Sequence, residues 1–155
     1  IHGRFERLFP DGRPTAERAV DLSEQALRDT GLSRAKTLSV LDLAARSAAG
    51  RLPTHRRMGA LDDQAIIDAL CQVRGIGIWT AQMYLIFNLG RPDVMPATDL
   101  GVQKGVQYIY GMRSLPGPRQ VLHRTRHLAP FRSAASWYFW RASERGRAGP
   151  EPPAA

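Results

Sequence analysis

The chain has 155 residues and a single cysteine, Cys71. One thiol builds no disulfide framework and no thiolate-rich metal cluster, so an iron–sulfur centre has no ligand set here. Cys71 stands beside Leu70 on an apolar helical face, where a buried and inert thiol is expected. Lysine is almost as scarce: Lys36 and Lys104 are the only two among 22 basic residues. Long hydrophobic runs are missing too. The longest uncharged stretch, Gly75 to Gly90, has 16 residues and carries Thr80, Gln82 and Asn88. At ~1.5 Å per helical residue it falls short of the roughly 30 Å hydrocarbon core of a bilayer. No apolar run of signal-peptide type follows Ile1-His2-Gly3-Arg4. The expectation is therefore a soluble, cytoplasmic protein that avoids membranes. No segment alternates apolar and polar residues with β-branched enrichment, which argues against strands. There is no internal repeat. Gly75-Ile76-Gly77 is followed by no Gly-Lys-Ser/Thr, which excludes a Walker-type phosphate loop.

What is present is a helical pattern and a strongly basic balance. The formal net charge is +8, with 22 basic residues against 14 acidic ones. Such a surface favours an anionic partner, and nucleic acid leads. The dominance of arginine, with many Ala, Gly and Pro, also fits a GC-rich coding sequence, so the charge supports a nucleic-acid partner without proving one.

A short helix is expected to start near Pro14-Thr15. Ser23 caps a second, ended by Gly31, and Ser33 caps a third that runs through Leu38, Leu41 and Ala45 to Gly50. Asp62 or Asp63 starts a fourth, with Ile66, Ile67 and Leu70 on its apolar face. A fifth runs from about Ile78 to Leu89 and stops at Gly90. After an extended Val94-Met95-Pro96, Thr98 is expected to cap the next helix, which ends at Gly111. Pro116-Gly117-Pro118 opens another, and Pro130 precedes a final helix carrying Trp137 and Trp140. The reading is one compact all-α domain over residues 1–145, followed by a disordered Pro/Ala-rich tail over residues 146–155.

Two segments carry chemistry. In Val73-Arg74-Gly75-Ile76-Gly77-Ile78-Trp79-Thr80-Ala81 the paired glycines allow a tight turn between helices, through positive φ and through backbone that no Cβ shields. Amides near Gly75, Gly77 and the first turn of the next helix then converge on one point, and with the positive helix end they form an anion seat. Such a contact positions a phosphate backbone without reading sequence. Glycines alone would also fit a plain αα-corner, with Val73 and Ile76 as its apolar anchors.

The second segment is Pro96-Ala97-Thr98-Asp99-Leu100-Gly101. Its carboxylate, Asp99, follows Ala81 by 18 residues. As the acid at a helix start it is stabilised by the helix dipole. Its functional reading is a fixed negative charge beside a cationic, oxocarbenium-like sugar, where it also orients an attacking water. Trp79, Tyr84, Trp137, Tyr138 and Trp140 are the aromatic residues available to stack on an extruded base. Core packing is the expected role of Tyr84, Trp137 and Tyr138. His123 and His127, four apart, sit among Arg124 and Arg126 on a solvated basic face and are not read as metal ligands. Arg124, Arg126 and Arg132 either track phosphates or are simply solvated.

Residues 1 to about 145 resemble the helix-hairpin-helix-GPD superfamily of DNA glycosylases, in particular the 3-methyladenine DNA glycosylase II type. The segments that carry the resemblance are Leu70 to Ala81, Pro96 to Gly101, and Ala129-Pro130-Phe131-Arg132-Ser133 with Trp140. The resemblance implies a multi-helix domain built around a helix-hairpin-helix, with Asp99 as the catalytic aspartate. It implies DNA contacts through Gly75, Ile76, Gly77 and Thr80, and a base pocket at Trp79 and Trp140. It also implies a monovalent cation held by the backbone carbonyls of Cys71, Val73 and Ile76, with no other cofactor and no iron–sulfur cluster. The partner implied is double-stranded DNA containing damaged bases, met by a monomer at the nucleoid. Alkylated purines such as 3-methyladenine are the expected substrates, and 7-methylguanine, hypoxanthine and ethenoadenine are not ranked among them.

Bifunctional members of that family carry lysine two residues after the second hairpin glycine, where its amine forms a Schiff base. Trp79 stands there, so the resemblance implies a monofunctional glycosylase without lyase activity. The family usually has proline where Arg74 stands; arginine there either adds a phosphate contact or is a tolerated variant. The family's domain also begins earlier, with helices that hold a wedge residue for the gap left by the flipped base. The sequence is accordingly expected to be N-terminally incomplete. The alternative reading is a non-catalytic helix-hairpin-helix DNA-binding module.

Overall fold

A computed structural model describes residues 1–148. Among the described residues ten α-helices run α1 (His2–Glu6), α2 (Ala16–Ala19), α3 (Glu24–Asp29), α4 (Arg34–Ala48), α5 (His55–Met58), α6 (Asp63–Cys71), α7 (Ile78–Phe87), α8 (Leu100–Ile109), α9 (Pro118–Thr125) and α10 (Arg132–Ala148), with a 3-10 turn at Arg126–Leu128. Among the described residues all regular structure is helical, as the absence of period-two patterning requires. α10 continues to Ala148, three residues into the segment expected to be a tail, and the remainder of that segment lies outside the described residues.

The caps explain most of the boundaries. The side chains of Thr15, Ser23, Ser33, Thr54 and Asp62 each accept a backbone N–H from the first turn they precede. At α9, Gln120 reaches back so that its Oε1 accepts the Gly117 N–H at 3.0 Å, with Pro118 at the first helical position. α1 and α5 are a single turn each and carry too few apolar residues for periodicity to reveal them. The expected N-cap Thr98 is replaced by Asp99, whose carboxylate accepts the Val102 N–H at 2.8 Å. Aspartate caps better than threonine, and the shift by one residue puts the carboxylate in the cap itself.

The contacts group into two compact units, Ile1–Ala81 and the residues from Gln82 onward. In the first unit, Phe9, Ala19 and Ala44 are buried together with Phe5, Leu8 and Leu22 around them, and the Phe5 and Phe9 rings meet edge-on at 5.2 Å. Leu27, Ile66, Leu70 and Val73 of this unit are also buried.

In the second unit, Met95, Ala97, Val102, Val106, Val121 and Phe139 form the core, with Trp140 packed against it. Gly105 sits where α8 meets α10, and a Cβ there would run into the Phe139 backbone. With Gly101 one turn earlier, α8 presents a small-residue stripe that lets α10 approach closely. A second clamp fixes the loop before α8. Arg132 forks Asp93 through Nε and Nη2 at 2.6 and 2.7 Å, and Ser133 takes the Val94 N–H at 3.0 Å while donating to Arg91 O at 2.6 Å. The buried Val94 to Ala97 run then delivers Asp99 to the start of α8.

Candidate functional site

The hairpin occupies residues 72–77, between α6 and α7. Gly75 has φ +75°, so its left-handed conformation is one that a side chain strains. It also leaves no room, because a Cβ would collide with Ser39 Oγ. Gly77 differs from the expectation that both glycines need positive φ: only Gly75 has it, and nothing lies within 4 Å of a Cβ placed on Gly77. Glycine at 77 thus leaves open space in front of backbone rather than solving an internal clash. The hairpin's own bonds use the Ile76 N–H, to Val73 O at 3.1 Å, and the Ala81 N–H, to Gly77 O at 3.0 Å. Among the described residues, none uses the N–H of Gly75, Gly77 or Thr80. All three residues are exposed, while Val73 is buried and Ile76 half-buried as apolar anchors. This is the arrangement of outward backbone donors that an anion requires.

The carbonyls of Cys71, Val73 and Ile76 are hard, neutral oxygen donors of the kind that suit an alkali cation. Val73 O already accepts one hydrogen bond and keeps a second lone pair, so its donor chemistry suits such an ion. Cys71 itself is half-buried, not fully buried as expected. Among the described residues no group of three or more His, Cys, Asp or Glu side chains is placed to hold a metal.

Asp99 and Trp140 meet in the second unit. Trp140 Nε1 donates to Asp99 Oδ1 at 2.7 Å, the same oxygen that accepts the Val102 N–H. Two charge-assisted donors on one oxygen fix the carboxylate's orientation, and one of them is an indole 41 residues away. The indole lies so close over the first turn of α8 that a Cβ on Gly101 would sit 2.7 Å from Trp140 Cδ1 and 3.3 Å from Nε1. The indole also stacks on Phe87, centroid to centroid 5.9 Å with the planes 23° apart. Trp79 belongs to the first unit and is 48% exposed on the first turn of α7.

Several expectations change. Trp137 and Tyr138 are not core residues: they are 51% and 66% exposed, in edge-on contact with each other, with the Arg141 guanidinium over the Trp137 ring. Tyr84 is half-buried, and burial raises its phenol pKa. Arg132 is not simply solvated, since Asp93 holds it in a bidentate pair; its hydrogen bonds hold Asp93 below the usual carboxylate value. His123, His127, Arg124 and Arg126 are exposed, in keeping with a solvated basic face.

Four residues around these sites escaped the sequence reading. Phe87 and Gly101 support Trp140; Gly105 sets the helix approach; and Asp42 accepts the Arg74 backbone N–H at 2.7 Å. The Gly101-x-x-x-Gly105 spacing was a usable signal for close helix packing. Nothing in the sequence announces the other two.

Comparison with known proteins places the chain in a family. Residues 2–131 match the family described as HhH-GPD superfamily base excision DNA repair protein. The chain is 37% identical over 145 residues to DNA-3-methyladenine glycosylase 1 of Schizosaccharomyces pombe, an alignment covering 93% of this chain and 64% of that protein. The chain thus spans a little under two thirds of that relative's length. Among solved structures, a Schizosaccharomyces pombe 3-methyladenine DNA glycosylase in complex with abasic DNA superposes with a TM-score of 0.84 at 37% identity, over 91% of this chain and 69% of that one. A DNA-3-methyladenine glycosidase from Bacillus halodurans gives 0.83 at 29% identity, over 96% and 68%. Both the all-α fold and the resemblance read from the hairpin and Asp99 segments are borne out by these matches.

Proposed function

As a chain that belongs to the HhH-GPD superfamily of base excision DNA repair proteins, this protein is, we propose, a monofunctional DNA glycosylase that removes alkylated purines such as 3-methyladenine from duplex DNA. The observation that carries the reading is the Asp99 carboxylate, fixed by the Val102 amide and the Trp140 indole. Its support comes from the relatives' names, 3-methyladenine glycosylases among them.

In this mechanism the N–H groups of Gly75, Gly77 and Thr80, with Ile76 beside them, take a DNA phosphate. A monovalent cation on the carbonyls of Cys71, Val73 and Ile76 would add positive charge for that phosphate. The damaged nucleotide leaves the stack, and an indole π-face of the kind that Trp79 and Trp140 carry is suited to stack on a cationic alkylated purine. The C1′–N bond breaks with its electron pair departing on the base. Positive charge grows on the sugar, and the fixed Asp99 carboxylate stabilises it. Water then adds to C1′ and gives up its proton through the Asp99 carboxylate. Because an alkylated base is already electron-poor, it leaves without a separate acid. A Schiff base needs an amine, and Trp79 stands where a lyase would carry one, so strand cleavage is not part of the reaction. The protein works as a monomer on the nucleoid.

Asp99→Asn tests the mechanism. Abasic-site formation on methylated duplex DNA, measured in single turnover, is expected to fall at least about a hundredfold, the scale of losing one pre-organised electrostatic partner. An unchanged rate removes Asp99 from the chemistry. Salt-sensitive duplex binding by a wild type that forms no abasic sites supports the binding-module alternative instead. Borohydride trapping separately tests the lyase assignment, with no covalent protein–DNA adduct expected.

A further inference from the structure

The hairpin is held from beneath by a stripe of α4. Asp42 Oδ2 accepts the backbone N–H of Arg74 at 2.7 Å, across 32 residues of sequence. Both Asp42 oxygens also accept from Arg46 Nε, at 3.0 and 2.9 Å. Ser39, one turn earlier, lies under Gly75 where a Cβ would collide with its Oγ, and that hydroxyl donates to Ala35 O at 3.0 Å. Ser39, Asp42 and Arg46 recur at three and four residues, so they form one face of α4. Asp42 and Arg46 are each somewhat under one third exposed at the side chain.

We infer that Asp42 is a positioning residue for the phosphate seat: its bond to the Arg74 amide sets where the N–H groups of Gly75, Gly77 and Thr80 point. The inference rests on the reading of the hairpin as a DNA-binding element. Loop amides make a good anion site only when their directions are fixed before the anion arrives, since otherwise binding must order them. A charge-assisted bond to a backbone amide is among the stronger ways to fix a turn. The arrangement also answers an electrostatic objection. A bare carboxylate so near the seat would repel phosphate, but Arg46 neutralises it through both oxygens. The Arg74 amide, with Arg46 also contributing, holds the Asp42 carboxyl below its ordinary value, so it is ionised at neutral pH. The Arg74 guanidinium adds only a weaker coulombic attraction to Asp42; the backbone N–H makes the bond, and a proline at 74 has none to offer.

A double-mutant cycle separates the tether from an incidental surface ion pair. The probe is a DNA duplex carrying a tetrahydrofuran abasic site, and the readout is its dissociation constant. Asp42→Ala and Arg74→Pro are each expected to weaken binding roughly tenfold, the scale of one charge-assisted bond. The double variant is expected to bind no worse than either single one. Asp42→Asn, whose amide oxygen still accepts, recovers part of the loss. Arg74→Ala keeps the N–H, so its effect adds to that of Asp42→Ala and lowers the salt slope instead. Wild-type affinity in Asp42→Ala, or additive losses in Asp42→Ala/Arg74→Pro, overturns the proposal. The tether is read independently of DNA from the Arg74 amide proton, whose chemical shift follows the Asp42 titration in the wild type and loses that step in Asp42→Ala. Absence of that step in the wild type refutes the tether itself. A titrating amide in a wild type that does not bind the duplex refutes the DNA-binding reading, and the positioning role with it, while leaving the tether as a structural bond.

Discussion

Gly101→Ala gives the sharpest test of how Asp99 is held. In a helix, replacing glycine by alanine ordinarily stabilises by up to about 1 kcal/mol. Here the added Cβ would lie 2.7 Å from Trp140 Cδ1 and 3.3 Å from Nε1, so the indole must retreat by roughly 0.7 Å to reach ordinary contact. Phe87 is stacked on the indole, and α8 cannot yield without moving Asp99. The retreat stretches the 2.7 Å bond from Trp140 Nε1 to Asp99 towards the limit of a hydrogen bond. Overpacking of this kind costs about 1–3 kcal/mol, so the sign of the usual helix effect reverses. A hydrogen bond to a charged group contributes about 1.5–3 kcal/mol. If that bond orients Asp99 in the transition state, the rate of base release falls roughly ten- to hundredfold. Urea denaturation reads the first quantity, the indole N–H proton resonance of Trp140 reads the bond, and single-turnover abasic-site formation reads the last. A Gly101→Ala protein more stable than wild type, with its Trp140 N–H resonance unmoved, would falsify the account of why glycine stands there.

Further outcomes follow from other contacts. Gly105→Ala drives a Cβ into the Phe139 backbone, which cannot rotate away, and is expected to lower the urea midpoint by the equivalent of about 1–3 kcal/mol or more. Gly75→Ala combines a φ of +75° with a collision on Ser39 and is expected to destabilise by at least about 1 kcal/mol, read as a lower Tm. Gly77→Asp meets open space, so its Tm stays near wild type while its affinity for duplex DNA drops through repulsion of phosphate. The Arg132 fork holds the Asp93 carboxyl below its ordinary value of 3.8, so the pair stabilises above the normal carboxylate range. That contribution disappears as pH falls through the lowered folded-state value. Wild type is therefore expected to exceed Arg132→Ala by about 1 kcal/mol at pH 7, with the gap closing in acid; a gap independent of pH contradicts the assignment.

Local chemistry was legible in the sequence and long-range chemistry was not. Ser23, Ser33 and Asp62 announce their helices because a cap needs only a short polar side chain and the three residues after it. The hairpin is equally local: Gly75, Gly77 and the flanking Val73 and Ile76 lie within five residues. Thr98 and Asp99 are adjacent good caps, and only the path of the buried Val94 to Ala97 run decides between them. Trp137 and Tyr138 looked like core residues because apolar content says nothing about which way a helix face turns. The partners that fix the site are 41 residues apart for Asp99 and Trp140, and 32 for Asp42 and Arg74. No periodicity within one helix encodes such pairs.

One carboxylate, Asp99, both closes the N-terminus of α8 and carries the charge assigned to the chemistry. Asparagine caps a helix as well as aspartate does, and its amide oxygen can still accept from Val102 and Trp140. A single exchange at this position therefore removes the charge while the architecture tolerates the change. Under the proposed function, a silent descendant lies one exchange from an active chain, whereas the Asp99→Ala route would forfeit the cap as well. Selection on the chemistry would then favour aspartate over asparagine here, so the identity of residue 99 tests that function in a way that fold preservation cannot.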